Sequence, residues 1–302
     1  MSRKLAVAAA LAGLALLIAG PETVQHKTYF PLIGQPEQHK AGICYPKEDL
    51  RDRGQALSDI GAVATMDWGF GYGARHDIIA REHGVEFLPM QYGCGVDTQK
   101  VSAYATEHPG SRWLAFNEPD GMGNCAPEAA AVAYHTLREA VKAADPTAKL
   151  YCCGTAFWPA HIEYHEDWAD AYRAMYGDWP QVDGMHIHSY ASVYTDRFNW
   201  QARQQELTQF REWQQQQPWA RRKRVIISEW AVLSASWMPD DKQRIADEFI
   251  PAMMPWLNAQ RWIELHLWFS TWAYEDLYEP SHIFERDTDT LTIVGEAWKG
   301  AR

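Results

Sequence analysis

Eight short apolar segments recur along this chain, and helical patterns lie between them. They span residues 41–45, 62–67, 86–91, 113–117, 150–154, 184–188, 225–229 and 263–269. Each is too short for a stable helix, and each is bounded by Gly, Pro or polar residues, as strands are. Between them, 126–144 is alanine-rich, 200–217 carries Leu207, Phe210 and Trp213 at helical spacing, and 240–260 carries Ile245, Phe249 and Met253. Strands alternating with helices predict a parallel sheet, because a parallel return needs a crossover. Eight such units are the number that closes into a barrel. The expected fold is therefore α/β, a (β/α)8 TIM barrel forming a single domain over residues 40–302. An open doubly wound sheet is the other arrangement, but its GxGxxG fingerprint after the first strand is missing. GFGYG, Gly69 to Gly73, lacks a phosphate-loop lysine and reads as an aromatic-bearing loop.

The N-terminus stands apart. Arg3 and Lys4 precede sixteen uncharged residues, 5–20. That pattern reads as a signal peptide or an uncleaved N-terminal anchor, with 21–39 as linker. Either way the chain is expected to be secreted, or held at a membrane facing outside. Hydrophobic residues at 47% support a large core, and a net charge of -11 argues against nucleic acid or an anionic membrane as partner. A monomer is expected, with no cofactor. The five cysteines lack zinc-finger spacing. Cys94 and Cys125 fall in loops after neighbouring strands and are expected to pair, leaving Cys44, Cys152 and Cys153 reduced or buried.

The chemistry is expected at the carboxyl ends of the strands. WLAFNEPD, Trp113 to Asp120, is an apolar run that delivers Asn117 and Glu118 at its tip and stops on Pro119, which lacks an N–H. RVIISEWAV places Glu229 in the matching position after another apolar run. A lone Glu is usually a surface or salt-bridged residue. Two at strand tips suggest a pair that flanks one glycosidic bond, one giving a proton and the other attacking the anomeric carbon or activating water.

These residues carry a resemblance. FNEPD and IISEW resemble the motifs of the clan A retaining glycoside hydrolases. The resemblance implies that Glu118 is the acid/base, Asn117 the partner of the sugar 2-hydroxyl, and Glu229 the nucleophile. AFNEPD, HIHSY and an aromatic-rich last strand look most like glycoside hydrolase family 128, which implies an endo-acting β-1,3-glucanase with a poly- or oligosaccharide substrate.

In HIHSY, His186, His188 and Tyr190 share one strand face. His188 and Tyr190 are expected in the sugar site, and His186 deeper as a core histidine. A metal reading through His186 and His188 is the rival, and His161 with His165 adds a second spaced pair; no third ligand is evident. A non-catalytic glycan-binding barrel is the other alternative. Of the fifteen tryptophans most are expected in the core. Trp68, Trp230 and Trp268, with Tyr92, are candidate sugar platforms at strand tips, Trp268 foremost. Asp67 and Gln91 are candidate hydroxyl-binding groups.

Overall fold

The computed structural model describes residues 39–46, 49–67, 75–121, 123–156, 158, 160–191, 199–233, 240–273 and 276–302, the side chains of 276–278 excepted. The expected leader and nearly all of the linker, Trp68 and the GFGYG loop lie outside the described residues. All elements below belong to the unit Glu37–Arg302. No helix among the described residues is long and apolar enough to cross a membrane.

The strands are β1 (Ala41–Ile43), β2 (Ala64–Thr65), β3 (Glu86–Phe87), β4 (Met90–Gln91), β5 (Arg112–Asn117), β6 (Lys149–Gly154), β7 (Gly184–Ala191), β8 (Arg224–Val232) and β9 (Ile263–Trp268). The helices are α1 (Gly54–Asp59), α2 (Arg75–Glu82), α3 (Thr98–Glu107), α4 (Pro127–Ala144), α5 (Ala160–Tyr176), α6 (Trp200–Gln216), α7 (Asp241–Arg244), α8 (Ile250–Ala259) and α9 (Ile293–Ala301). A π-helical turn, Ile245–Phe249, joins α7 to α8. The result is a parallel α/β fold on a curled seven-stranded sheet, ordered β1-β9-β8-β7-β6-β5-β4, beside a two-stranded sheet of β2 and β3. Backbone hydrogen bonds also link β1 to β2: Val63 N–H donates to Ala41 O at 3.0 Å, and Tyr45 N–H to Met66 O at 2.9 Å.

One expected strand, 86–91, is two. Pro89 has no N–H to give a ladder. The chain changes partners there: Glu86 and Phe87 pair with β2, and Met90 and Gln91 with β5. The helices follow their apolar spacing. In α4, Pro127 occupies the first turn, where a missing N–H costs nothing. Ala130, Tyr134, Leu137 and Val141 form its buried stripe, and Pro146 follows its C-cap Asp145. At the other end of the strands Arg112 bridges Glu86 on β3 and Glu264 on β9, and Tyr151 also donates to Glu264. These charges are tied off against one another at the amino ends of the strands.

One covalent link and one ionic one hold the loops, and a second covalent link lies within β6. Cys94 and Cys125 are bridged as expected, with Cα atoms 6.0 Å apart, inside the usual range of about 4.4–6.8 Å. Cys152 and Cys153 are buried, as expected, but joined to each other, which corrects their reading as reduced thiols. Adjacent positions on β6 leave each sulfur the other as its nearest partner. Alkylation under denaturing, non-reducing conditions should therefore label only Cys44, the remaining free cysteine. Mass spectrometry finding three or five labelled residues would contradict this. The ionic link is Arg53, which is 0% exposed. It donates to Asp49 Oδ2 at 2.5 Å, to Asp289 Oδ1 at 3.0 Å and to the carbonyls of Thr288, Glu285 and Arg286, and it lies over the Phe284 ring. One side chain thus ties the loop after β1 to the segment after β9.

Candidate active site

The tip of β5 is held in an unusual backbone. Phe116 has φ 72° and Glu118 φ 43°, both in the region that favours glycine. Such a conformation costs on the order of 1–3 kcal/mol per residue and persists only where the surroundings impose it. Here they do. Glu118 N–H donates to Gly154 O at 2.7 Å, and Glu118 O accepts from the N–H of Gly121 and Gly123 at 2.9 and 2.8 Å. Gly154 has to be glycine, since a Cβ there would stand 2.5 Å from the His186 ring and from Phe116 O. Asp120, two residues on, accepts from Ala156 N–H with both carboxylate oxygens, at 3.0 and 3.1 Å.

Glu229 arrives by a different device. Strict alternation along β8 would put Glu229 on the face of Ile227. The β7–β8 register runs Ile187 to Ile227 and then His188 to Glu229, so Ser228 is an extra, bulged residue. The bulge resets the phase. Glu229 now shares the face of His188, and Ser228 Oγ meets His186 Nδ1 at 2.9 Å.

Together these place the expected pair side by side. His188 Nδ1 lies 3.0 Å from Glu118 Oε1 and 3.3 Å from Glu229 Oε2. One oxygen of each carboxylate and a His188 nitrogen all fall within 4.8 Å of one another. Tyr190 donates its hydroxyl to Glu229. All four side chains are buried or nearly so. Burial, with the Glu118 charge adding, pushes the Glu229 carboxyl up to about 7, although the His188 charge and the Tyr190 hydrogen bond oppose it. Burial by itself would lower the His188 pKa, but the Glu229 charge, the Glu118 hydrogen bond and the charges of Glu118 and Asp120 outweigh it and raise it. The imidazolium form fits a ring set between carboxylates.

The other candidates divide. Asn117 is 4% exposed and its Oδ1 has no hydrogen-bond partner among the described residues, so a ligand hydroxyl beside it would meet an unsatisfied acceptor. Tyr92 is within electrostatic reach of both Glu118 and Glu229, which together with burial raise its hydroxyl pKa, burial most. Asp67 is buried 3.4 Å from His76, and with Glu229 it acts on the thiol of Cys44, which burial chiefly drives up. Gln91 donates to the carbonyls of Gly93 and Gly95 and so shapes the loop that carries Cys94.

Trp230 and Trp268 require correction. Their rings meet edge to face at 4.7 Å and both pack against Phe249 of the π turn. Trp268 is 0% exposed, with its indole N–H donated to Ser281 O. Both stand in the layer between sheet and helices and offer no face to a sugar. Phe269, one residue further, lies 6.2 Å from the Tyr190 ring instead. Asp120 was not singled out by sequence reasoning, and its only signal was a second carboxylate in the same loop.

Among the described residues, His161, His165 and His186 spend their ring nitrogens on other partners. His186 spends Nδ1 on Ser228 and Nε2 on Ala115 O, and burial lowers its pKa to about 3, as befits a neutral core ring. On α5, His161 meets Thr155 Oγ1, and His165 accepts from Cys153 N–H. Glu118, His188 and Glu229 do offer three metal-binding atoms at close range. A closed site takes four ligands, and these atoms are already hydrogen-bonded to one another and to Tyr190.

Comparison with known proteins bears on the fold and the family. No curated protein matches the sequence. Among solved structures, the chain is similar to a GH128 subgroup II endo-β-1,3-glucanase from Pseudomonas viridiflava, at 20% identity and a TM-score of 0.66, covering 87% of this chain and 98% of that one. A subgroup I endo-β-1,3-glucanase from Amycolatopsis mediterranei, in complex with laminarihexaose, aligns at 21% identity and TM-score 0.62, covering 87% and 99%. A subgroup VII oligosaccharide-binding protein from Trichoderma gamsii aligns at 16% and 0.56, covering 89% and 97%. The likeness in fold reaches across almost the whole of each of these chains. The family model described as the glycosyl hydrolase catalytic core matches residues 42–298, and the chain belongs to that family.

Proposed function

We propose that this protein is a retaining glycoside hydrolase that cleaves β-1,3-glucan internally, working from a (β/α)8 barrel. The observation that carries the reading is the approach of Glu118 and Glu229, with oxygens inside 4.8 Å. The carboxyl groups of a retaining pair stand about 5–5.5 Å apart, closer than the roughly 6.5–9.5 Å of an inverting pair, so oxygens this near each other support retention. Glu118 gives its proton to the leaving oxygen while Glu229 attacks the anomeric carbon and forms a glycosyl-enzyme. Glu118 then takes a proton from water, which attacks the same carbon and frees Glu229. Tyr190 and His188 hold Glu229 for attack, and Asn117 offers its amide to the 2-hydroxyl. The glucan linkage rests on the fold shared with β-1,3-glucanases. The barrel reading treats β3 and β4 as halves of one strand and the β1–β2 bonds as its closing seam. The leader supports a secreted or outward-facing enzyme.

A panel of β-1,3-, β-1,4- and mixed-linkage glucans tests the substrate, with release of reducing sugar as the measurement. Glu118→Gln should spare the first step for substrates with good leaving groups, which need little proton donation. Natural glucan should lose turnover on the order of 10²–10⁴-fold. Equal losses on both substrates would remove Glu118 from the role. A glycan-binding protein is the second reading, favoured by the oligosaccharide-binding neighbour. It predicts binding without sugar release.

A further inference from the structure

We infer that Asp120 is a positioning residue for the acid/base, clamping the loop that carries Glu118 to the loop after β6. The inference rests on the hydrolase reading above and deepens it. Asp120 lies two residues past Glu118, yet its carboxylate reaches across to the next loop. Both of its oxygens accept from the single N–H of Ala156, at 3.0 and 3.1 Å. The same two loops meet again where Glu118 N–H donates to Gly154 O. Glu118 is thus flanked by two ties to one neighbouring loop, and its left-handed backbone is held from both sides. Cys125 closes the far end, through Cys94 and through its carbonyl, which accepts from Tyr164 at 2.8 Å.

Asp120 is within electrostatic reach of Glu118 on its own loop, His188 on β7 and Tyr164 on α5. Its negative charge favours a proton on His188, the ring that bridges the two catalytic carboxylates. The ring also faces Glu229 and Tyr190 on the site side and His161 behind. Asp120 therefore has two separable effects, one mechanical and one electrostatic.

Two substitutions separate them. Asp120→Asn keeps an oxygen for Ala156 N–H and removes the charge, and Asp120→Ala removes both. In Asp120→Ala, kcat should fall ~10–100-fold with KM nearly unchanged, the size expected when a reacting group is misplaced by about 1 Å. In Asp120→Asn, kcat should fall less. The His188 ring titration, followed by NMR, and the alkaline limb of kcat/KM should both move to lower pH, because the imidazolium loses a nearby anion. A cap with a merely structural role would lower Tm and leave the His188 titration in place. That result, or Asp120→Ala with wild-type kcat, would overturn the assignment. Should Asp120→Ala fail to fold, the Asp120→Asn titration decides. Should the wild type release sugar from no glucan, the hydrolase reading falls, while the titration still decides whether Asp120 acts on His188.

Discussion

Glu229→Ala should lose turnover by on the order of 10⁴-fold or more, the scale seen when a nucleophile that works as part of a unit is removed. Added azide should restore reaction. The alanine leaves a space beneath the anomeric carbon on the side that Glu229 occupied, and a small anion fits there. The product should be a glycosyl azide of configuration opposite to the substrate, because the azide attacks once and nothing reverses the inversion. Chromatography and NMR of the product give the answer directly. Retention in the azide product, or undiminished activity without azide, would remove Glu229 from its role. Tyr190 and His188 remain in this variant, so the loss reports the carboxylate and not collapse of the site.

Arg53→Met should have the largest effect on stability. Asp49 is 1% exposed and its carboxylate is held by Arg53 at 2.5 Å. Methionine fills much of the volume but leaves that carboxylate buried without its cation. Breaking a buried pair from one side costs about 3–5 kcal/mol. For a domain of this size that lowers Tm by roughly 5–9 °C. Asp49→Asn combined with Arg53→Met should recover part of the loss, since no unpaired charge is then buried. Thermal unfolding of the three proteins checks it. A single variant within 1–2 °C of wild type would mean that the carbonyls of Glu285, Arg286 and Thr288 find other donors without cost.

Much of this molecule was legible in the sequence, for a physical reason. Buried strands need continuous apolar runs, and those runs located all eight strand positions. The two carboxylates were legible because a charged group at the end of such a run has few structural uses. What alternation could not supply was phase. Read strictly, RVIISEWAV gives no sign that Ser228 is an extra residue. The bulge decides that Glu229 faces the site and Trp230 the helices. Trp268 was misread for a related reason: its pairing with Trp230 across the irregular β8–β9 register puts it in the same outer layer. Pro89 was visible, but its effect depends on having a different neighbour on each side, β2 before it and β5 after. Asp120 was missed because its partner is the backbone N–H of Ala156, and a backbone group has no signature in a sequence.

The pairing of β1 with β9 has a consequence for synthesis. Ala41, Gly42 and Ile43 find their sheet partners in His266, Leu267 and Trp268. At about 5–20 residues per second, the ribosome needs roughly 10–45 s to make the chain between them. Throughout that time one flank of β1 carries backbone groups whose native partner does not yet exist. Parallel pairing between distant segments is slow even in a finished chain. That flank of β1 therefore finds its native partner only after β9 has been made.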